Sequence, residues 1–539
     1  MRFAALATDY DETLADHGRV QARTEQALLR LRASGRKLLL VTGRDLDDLL
    51  GVFPRLDLFH AVVAENGALL YLPDRKEERP LAERPPAGFA AALGRMGVPL
   101  TTGRVIVATR VPHEEVVLRE IKRQGLELQV IFNKGAVMVL PSGVNKGTGL
   151  KAALTELGLS PHNAVAVGDA ENDHVFLTEA ELGAAVANAL PTLRERADLV
   201  LRGAAHLGVE ELIDQVLADD LCAAAARSTR RDLLLGEDEQ GKPVTVKPAS
   251  GPLLFAGAPR SGKSTAAKGF VERLIDACYQ CCIIDPEGDW TEFERTVQIG
   301  ETRRAPTVHE VAHALSLPHE EVVVDLLGVR HADRPRYLAA LLHRIHELRA
   351  TTGRPHWLVV DEAHHFLPPL DQPTKESLLP DLCGVVAITV NPRGLARAFL
   401  QRLETVIGVG PDADEIIGEF CAARGLPRPP PIGRPMEKGE ALLWREGQKP
   451  RWFRLARTRA ARQRHVRKYA EGVDDDTWMH HLRTGDYSRW FREGTKDEEL
   501  AREAELIEHD RSLSPRDSRQ RILAAIDKRY TAPPDADGH

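Results

Sequence analysis

The chain has 539 residues, 43% of them hydrophobic and 28% charged, the composition of a soluble globular protein with material for several domains. Its 72 basic and 79 acidic residues leave a net charge of −7, which excludes a protein basic throughout but not a local basic patch. No uninterrupted run of about 18 apolar residues predicts a membrane span. Acidic residues from Asp9 onward argue against a signal peptide. Six cysteines, with Cys281 and Cys282 adjacent, suggest no disulfide framework, so the expected setting is a reducing cytoplasm.

From the start to about residue 220, apolar runs at Phe3–Ala7, Lys37–Val41, Ala61–Val63 and Ala164–Val167 each end in polar or glycine residues. Helical periodicity over Thr24–Ala33 and Lys146–Leu157 lies between them. This grammar predicts an α/β fold on an open parallel sheet, with ligands at the carboxyl ends of its strands. Between about residues 70 and 140 the texture changes. Pro85 and Pro86, a strand-like Val105–Thr109, a helical His113–Gln124 and an alternating Leu126–Phe132 predict a small α+β insertion acting as a lid.

Asp9 and Asp11 follow the first strand in Thr8-Asp9-Tyr10-Asp11-Glu12-Thr13. One carboxylate in such a pair can attack phosphorus to form an acyl phosphate, while the other gives and takes the proton. Thr42 and Gly43 of Thr42-Gly43-Arg44 follow the second strand and offer a hydroxyl and backbone N–H groups to a phosphate oxygen. Lys146 heads a helix and can offset phosphate charge. Gly168-Asp169-Ala170-Glu171-Asn172-Asp173 supplies the hard oxygen ligands that Mg²⁺ prefers.

In these four motifs and their order, residues 1–215 resemble the haloacid dehalogenase (HAD) superfamily. The inserted lid and Glu65-Asn66-Gly67-Ala68 are similar to its Cof and sucrose-phosphate-phosphatase branch, which carries a type IIB cap. The resemblance implies a Rossmann-like core and phosphomonoester hydrolysis. Asp9 would be the nucleophile, Asp11 the acid/base, and Thr42 and Lys146 the phosphoryl holders. Asp9, the Asp11 carbonyl and Asp169 would ligate Mg²⁺, with Asp173 in support. The implied substrate is a small phosphorylated metabolite such as a sugar or polyol acid, chosen by the lid, where Lys134 is one candidate contact. Glu12 departs from the family, whose members often have glycine there.

A second alternating pattern occupies about residues 221–450, with apolar runs at Leu253–Ala256, Cys281–Ile284, Glu321–Leu326, Trp357–Val360 and Val385–Val390. Gly257-Ala258-Pro259-Arg260-Ser261-Gly262-Lys263-Ser264-Thr265 lies between a strand and a helix. Its backbone N–H groups suit a β-phosphate, Lys263 the β/γ oxygens and Ser264 a Mg²⁺ ion, as in ATP binding. Asp361 and Glu362 end the strand Trp357–Val360, placing a metal-shell carboxylate beside one that can polarise water. Strand-like segments ending in Asp285 and Asp325 separate the two motifs in sequence, an order similar to the additional-strand ATPases. The strings Ile284–Trp290 and Asp361–Pro368 resemble the HerA/FtsK group, implying a RecA-like P-loop NTPase domain with Asn391 as γ-phosphate sensor. Arg393 and Arg397 are candidates for a finger across a subunit boundary, or surface arginines.

Residues 451–539 read as a charged helical region. Arg451 to Lys468 includes eight basic residues and no acid, suited to nucleic-acid phosphates or equally to a solvated helix. Trp478, His481, Tyr487, Trp490 and Phe491 suggest a small docked helical module, and His480 and His481 lack metal-ligand company. The leading expectation is a bifunctional phosphatase and ATPase. Its alternatives are a nucleic-acid translocase forming a homo-oligomeric ring with an accessory HAD domain, and a paired kinase and phosphatase.

Overall fold

The computed structural model describes residues 2–133, 135–248, 251–259, 261–290, 293, 295–367, 383–458, 475–493 and 498–530. Lys134, Arg260, Pro368 and the basic residues from Arg459 to Lys468 lie outside the described residues, as do the side chains of His480 and Trp490.

Twelve strands serve the first part of the chain: β1 (Ala5–Thr8), β2 (Lys37–Val41), β3 (Ala61–Ala64), β4 (Leu69–Leu72), β5 (Glu77–Pro80), β6 (Thr101–Thr102), β7 (Val107–Arg110), β8 (Leu128–Asn133), β9 (Ala136–Pro141), β10 (Ala164–Gly168), β11 (Leu182–Ala185) and β12 (Leu199–Val200). Eight form one sheet in the order β12-β11-β10-β1-β2-β3-β4-β5. It is parallel from β12 to β3, and β4 and β5 add antiparallel at one edge. Parallel strands need helical crossovers that cover both faces, which is why β1, β3 and β10 are fully buried apolar runs.

The insertion is a separate antiparallel sheet, β6-β7-β9-β8, with the helices Ala87–Arg95 and Glu114–Gln124. Phe89, Leu93, Val107, Val117 and Val139 make its own core, while Ala68, Val105, Ile106, Met138 and Leu140 form a cluster toward the main sheet. The lid expected from about residue 70 therefore starts later: Leu69–Leu72 and Glu77–Pro80 hydrogen-bond as a hairpin onto β3.

The remaining strands are β13 (Leu233–Glu237), β14 (Pro243–Val246), β15 (Leu253–Ala256), β16 (Cys281–Asp285), β17 (Thr296–Ile299), β18 (Glu321–Asp325), β19 (Trp357–Val360), β20 (Val385–Thr389), β21 (Thr405–Val409), β22 (Glu440–Arg445) and β23 (Arg451–Leu455). They form one sheet, β14-β13-β23-β22-β21-β15-β20-β19-β16-β18-β17, parallel from β21 to β17. Apolar clusters around Leu254, Ile284 and Phe420, and around Phe255, Phe270 and Trp357, cover its two faces. The region expected to be helical from Arg451 begins instead with the strand β23, in which Phe453 is fully buried in the sheet core while Arg451 and Arg454 are exposed. The helices Asp475–Thr484, Asp486–Glu493, Glu498–His509 and Pro515–Tyr530 follow, packed around Trp478, Leu482, Phe491 and Leu500. Among the described residues no helix is long and apolar enough to cross a membrane.

Candidate active site and a second strand-end cluster

Register builds the first site. Thr8 pairs with Val167 of β10 and with Leu40 of β2, and the Asp9 N–H donates to the Val167 carbonyl at 3.0 Å. Asp9, Thr42 and Asp169 therefore leave three neighbouring parallel strands at the same end. The helix Lys146–Glu156 is aimed there by its cap: the Asn145 side chain accepts from the N–H groups of Gly147 and Thr148 in a capping box, contributing about 1 kcal/mol. Lys146 is the first helical residue, and its Nζ donates to Asp9 Oδ1 and to Asp173 Oδ1, each at 2.6 Å. All three side chains are almost fully buried.

Carboxylate oxygens of Asp9, Asp169 and Asp173 lie within 4.8 Å of one another. Asp173 is fixed by the Asp169 and Ala170 N–H groups donating to its Oδ2 at 2.8 and 2.9 Å, and the Thr13 hydroxyl donates to Asp169 Oδ1 at 3.2 Å. Burial, together with the charges of Asp173 and Asp169, pushes the Asp9 carboxyl up to about 8 against the pull of Lys146. Burial works against the Lys146 charge too, but Asp173 and Asp9 outweigh it and hold the ammonium well above its ordinary value. Three buried carboxylates facing one ammonium favour a further cation, and an oxygen-only set of this size suits Mg²⁺.

Asp11 stands apart from that group. Its carboxylate takes a two-pronged bond from Arg44, Nε to Oδ2 at 2.8 Å and Nη2 to Oδ1 at 2.7 Å. Thr42 is fully buried, and its hydroxyl accepts from the Arg44 N–H at 3.2 Å. Beside Gly43, an added Cβ would come within 3.6 Å of Asn172 Nδ2 and 3.7 Å of Met138 Sδ, so the lid reaches over this loop. Asn172 Nδ2 donates to Asn66 Oδ1 at 2.9 Å, while Asn66 Nδ2 and Asn172 Oδ1 are buried without a hydrogen-bond partner. Glu65, also fully buried, accepts from the N–H groups of Arg104, Val105 and Ile106 at 2.6, 2.7 and 2.8 Å, anchoring the lid. Sequence reasoning gave no separate role to Arg44, Thr13 or Asn172, although each lies inside a motif string of the site, or to Glu65 and Asn66, for which the string Glu65-Asn66-Gly67-Ala68 was the available signal. Glu12, where glycine was expected, sits at φ 60°, in the left-handed region that glycine enters without cost.

The second cluster lies at the ends of β15 and β19. β15 runs into Gly257, Gly262 takes φ +96°, and the helix Lys263–Asp276 starts at once. Lys263 Nζ donates to Glu362 Oε1 at 2.7 Å. Asp361 accepts from Trp290 Nε1 at 2.8 Å and from the Glu362 N–H at 2.9 Å. Burial raises the Asp361 carboxyl above its ordinary value despite the Trp290 bond. Glu362 itself has φ 44°, a strained backbone for a non-glycine residue. β20 lies between β15 and β19. Ser264 and Thr265 are half-buried on the first helical turn, and Ser261 is buried before it, as is Gly257; Ala258 is half-buried and Pro259 exposed. Asn391 is exposed beyond β20, with its N–H on the Thr389 hydroxyl, and the exposed Arg393 faces Glu419 at 3.6 Å. Lys263, Asp361 and Glu362 are thus brought together, whereas Asn391, Arg393 and Arg397 face solvent.

Residues 6–86 and 102–213 match the model of the haloacid dehalogenase-like hydrolase family. Phosphoglycolate phosphatase 2 of Saccharolobus solfataricus is 31% identical over 223 residues, 40% of this chain and 92% of the relative. The phosphoglycolate phosphatase of Methanothermobacter thermautotrophicus is 31% identical over 218 residues, 39% of this chain and 96% of the relative. A haloacid dehalogenase-like hydrolase from Bacteroides thetaiotaomicron aligns at 18% identity and a TM-score of 0.35, covering 40% of this chain and 99% of its own. Through its first 213 residues, then, the chain belongs to the haloacid dehalogenase-like hydrolases.

Proposed function

We propose that the first site is a Mg²⁺-dependent phosphomonoesterase acting on a small phosphorylated metabolite, with Asp9 as nucleophile. The carrying observation is the buried convergence of Asp9, Asp169, Asp173 and Lys146 at adjacent strand ends. Asp9, Asp169 and Asp173, with the Asp11 carbonyl, would hold the metal, which supplies positive charge against the phosphoryl oxygens. Thr42, Gly43 and Lys146 bind those oxygens. An Asp9 carboxylate oxygen bonds to phosphorus as the ester P–O bond breaks, and Asp11 gives its proton to the departing alkoxide. Asp11 then takes a proton from water as the water oxygen replaces Asp9 on phosphorus, releasing inorganic phosphate. The two phosphoglycolate phosphatases above direct the search for the substrate toward small phosphorylated hydroxy acids. Asp9→Asn should lower phosphate release from p-nitrophenyl phosphate by more than about a thousandfold; undiminished turnover in that variant rejects the assigned nucleophile.

A second reading concerns the other cluster. ATP binding and hydrolysis, with Gly257–Thr265 as phosphate loop, Lys263, Ser264 and Asp361 around phosphate and Mg²⁺, and Glu362 polarising water, is supported by the Lys263–Glu362 contact. The strand lying between β15 and β19 supports it too. It would make the chain bifunctional.

A further inference from the structure

The phosphate end of the first site is closed, but its mouth is not. Lys146, Asp9 and Asp173 have side chains no more than 6% exposed, whereas Arg44 is 25% and Asp11 36% exposed. The leaving group must emerge past Asp11, since Asp11 hands its proton to the bridging oxygen under the hydrolase reading. Whatever stands on Arg44 is therefore within a few bonds of that oxygen.

The Arg44 guanidinium has two usable edges. Its Nε and Nη2 edge is committed to Asp11 in the two-pronged bond described above. At the other edge, Nη1 donates to Asp48 Oδ2 at 2.5 Å, and the Asp48 side chain is 50% exposed. A pair so open to water and salt is worth little and is readily exchanged. The guanidinium is held level by the Tyr10 ring, 5.5 Å from its carbon, and by the Arg44 N–H on Thr42. The neighbouring cation at the lid, Arg104, is already engaged by Asp47 and Glu78. A planar fork with one fixed and one exchangeable edge matches a carboxylate.

We propose that Arg44 is the specificity-determining residue of this site, its outer edge taking the carboxylate of a phosphorylated 2-hydroxy acid in place of Asp48. The proposal rests on the phosphomonoesterase reading. It selects esters whose carboxylate is one carbon from the bridging oxygen, because Arg44 and Asp11 are in direct contact.

The test compares kcat/KM for 2-phosphoglycolate and for 2-hydroxyethyl phosphate, in which a neutral CH₂OH replaces the carboxylate. Wild type should prefer the acid by at least about tenfold, the scale of one charge-assisted bond. Because Arg44 also touches Asp11, Arg44→Ala will slow both esters, so the preference is what is read. It should fall by about tenfold to a hundredfold, mainly through KM for the acid, with Arg44→Lys intermediate. Asp48→Ala, which removes the competitor and leaves Arg44 in place, should hold or increase the preference. An unchanged preference in Arg44→Ala, or a lowered one in Asp48→Ala, overturns the proposal. Wild-type turnover of both esters at equal efficiency rejects it while sparing the phosphomonoesterase reading; no turnover of either ester or of p-nitrophenyl phosphate rejects both.

Discussion

The His162 ring lies flat on Tyr279, centroids 3.7 Å apart and planes 19° from parallel, and joins the two large sheets. His162 Nε2 meets the Ala277 carbonyl at 2.6 Å and Nδ1 meets Glu181 at 2.7 Å, while the Tyr279 hydroxyl donates to Glu181 at 3.0 Å. Arg354, fully buried, donates from the second sheet's side to the Gly158 carbonyl at 2.7 Å.

This joint should be acid-labile. Burial alone would raise the Glu181 carboxyl, but the His162 hydrogen bond and the charges of Arg2 and Arg231 hold it near 2 against an ordinary 4.5. A depressed carboxyl stabilises the fold above its unfolded value and loses that contribution as pH falls from about 4.5 toward 2. The shift corresponds to about 3 kcal/mol. Thermal melts of wild type should therefore fall through this window, and those of Glu181→Gln should start lower and fall less. Equal acid sensitivity in the two proteins would count against the assignment.

Lys146 is expected to hold Asp9 and Asp173 together in the absence of metal. Lys146→Met leaves two buried carboxylates facing each other, a loss of about 3–5 kcal/mol by the cost of breaking a buried pair. Added Mg²⁺ should recover much of it. Calorimetry with and without Mg²⁺ measures this, and a metal-independent melting temperature in the variant would contradict a cation site at Asp9, Asp169 and Asp173.

Glu12→Gly has two opposing effects. Relief of the left-handed backbone is worth about 1–2 kcal/mol, and the entropy of an added glycine takes back about 0.5–1 kcal/mol. A small net stabilisation is expected, with a lower KM for phosphate dianions because a carboxylate leaves the loop after Asp11. Glu12→Ala should share the KM change without the stabilisation.

For the second cluster, ATP with Mg²⁺ should raise the melting temperature, a gain of about 2.7 kcal/mol at a hundredfold excess over Kd. Lys263→Ala should abolish the rise. Glu362→Gln should keep it while stopping phosphate release from ATP. An equal rise in Lys263→Ala would place the nucleotide elsewhere.

The strand ends were legible because buried parallel strands are unbroken apolar runs, so Leu38–Val41 or Val165–Val167 stops visibly where the polar residues begin. That Asp9, Lys146 and Asp173 belong together is implied by the resemblance of the four motifs to the haloacid dehalogenase superfamily, not by their spacing. Contacts set by register do not show in a string: Arg44 meets Asp11 across 33 positions, and Trp290 meets Asp361 across 71. The lid's start was hidden because β5 is polar and mostly exposed, an edge strand that looks like the loop it borders. Arg451 and Arg454 hid β23 in the same way, masking Phe453 between them.

Gly67 packs so closely on Asn145 that an added Cβ would fall 2.0 Å from its carbonyl oxygen, and one on Gly103 would fall 2.4 Å from Glu65. The loop after β6 and the chain's return from the lid are thus both tied to the turn Glu65–Gly67. That turn in turn hangs on the loop Thr42–Arg44, through the Glu65 N–H on the Arg44 carbonyl and the Asn66 N–H on the Thr42 carbonyl. A swing of the lid would pivot at this turn, where its backbone is tied to the loop Thr42–Arg44. Under the hydrolase reading, the opening angle would then govern which leaving groups are admitted.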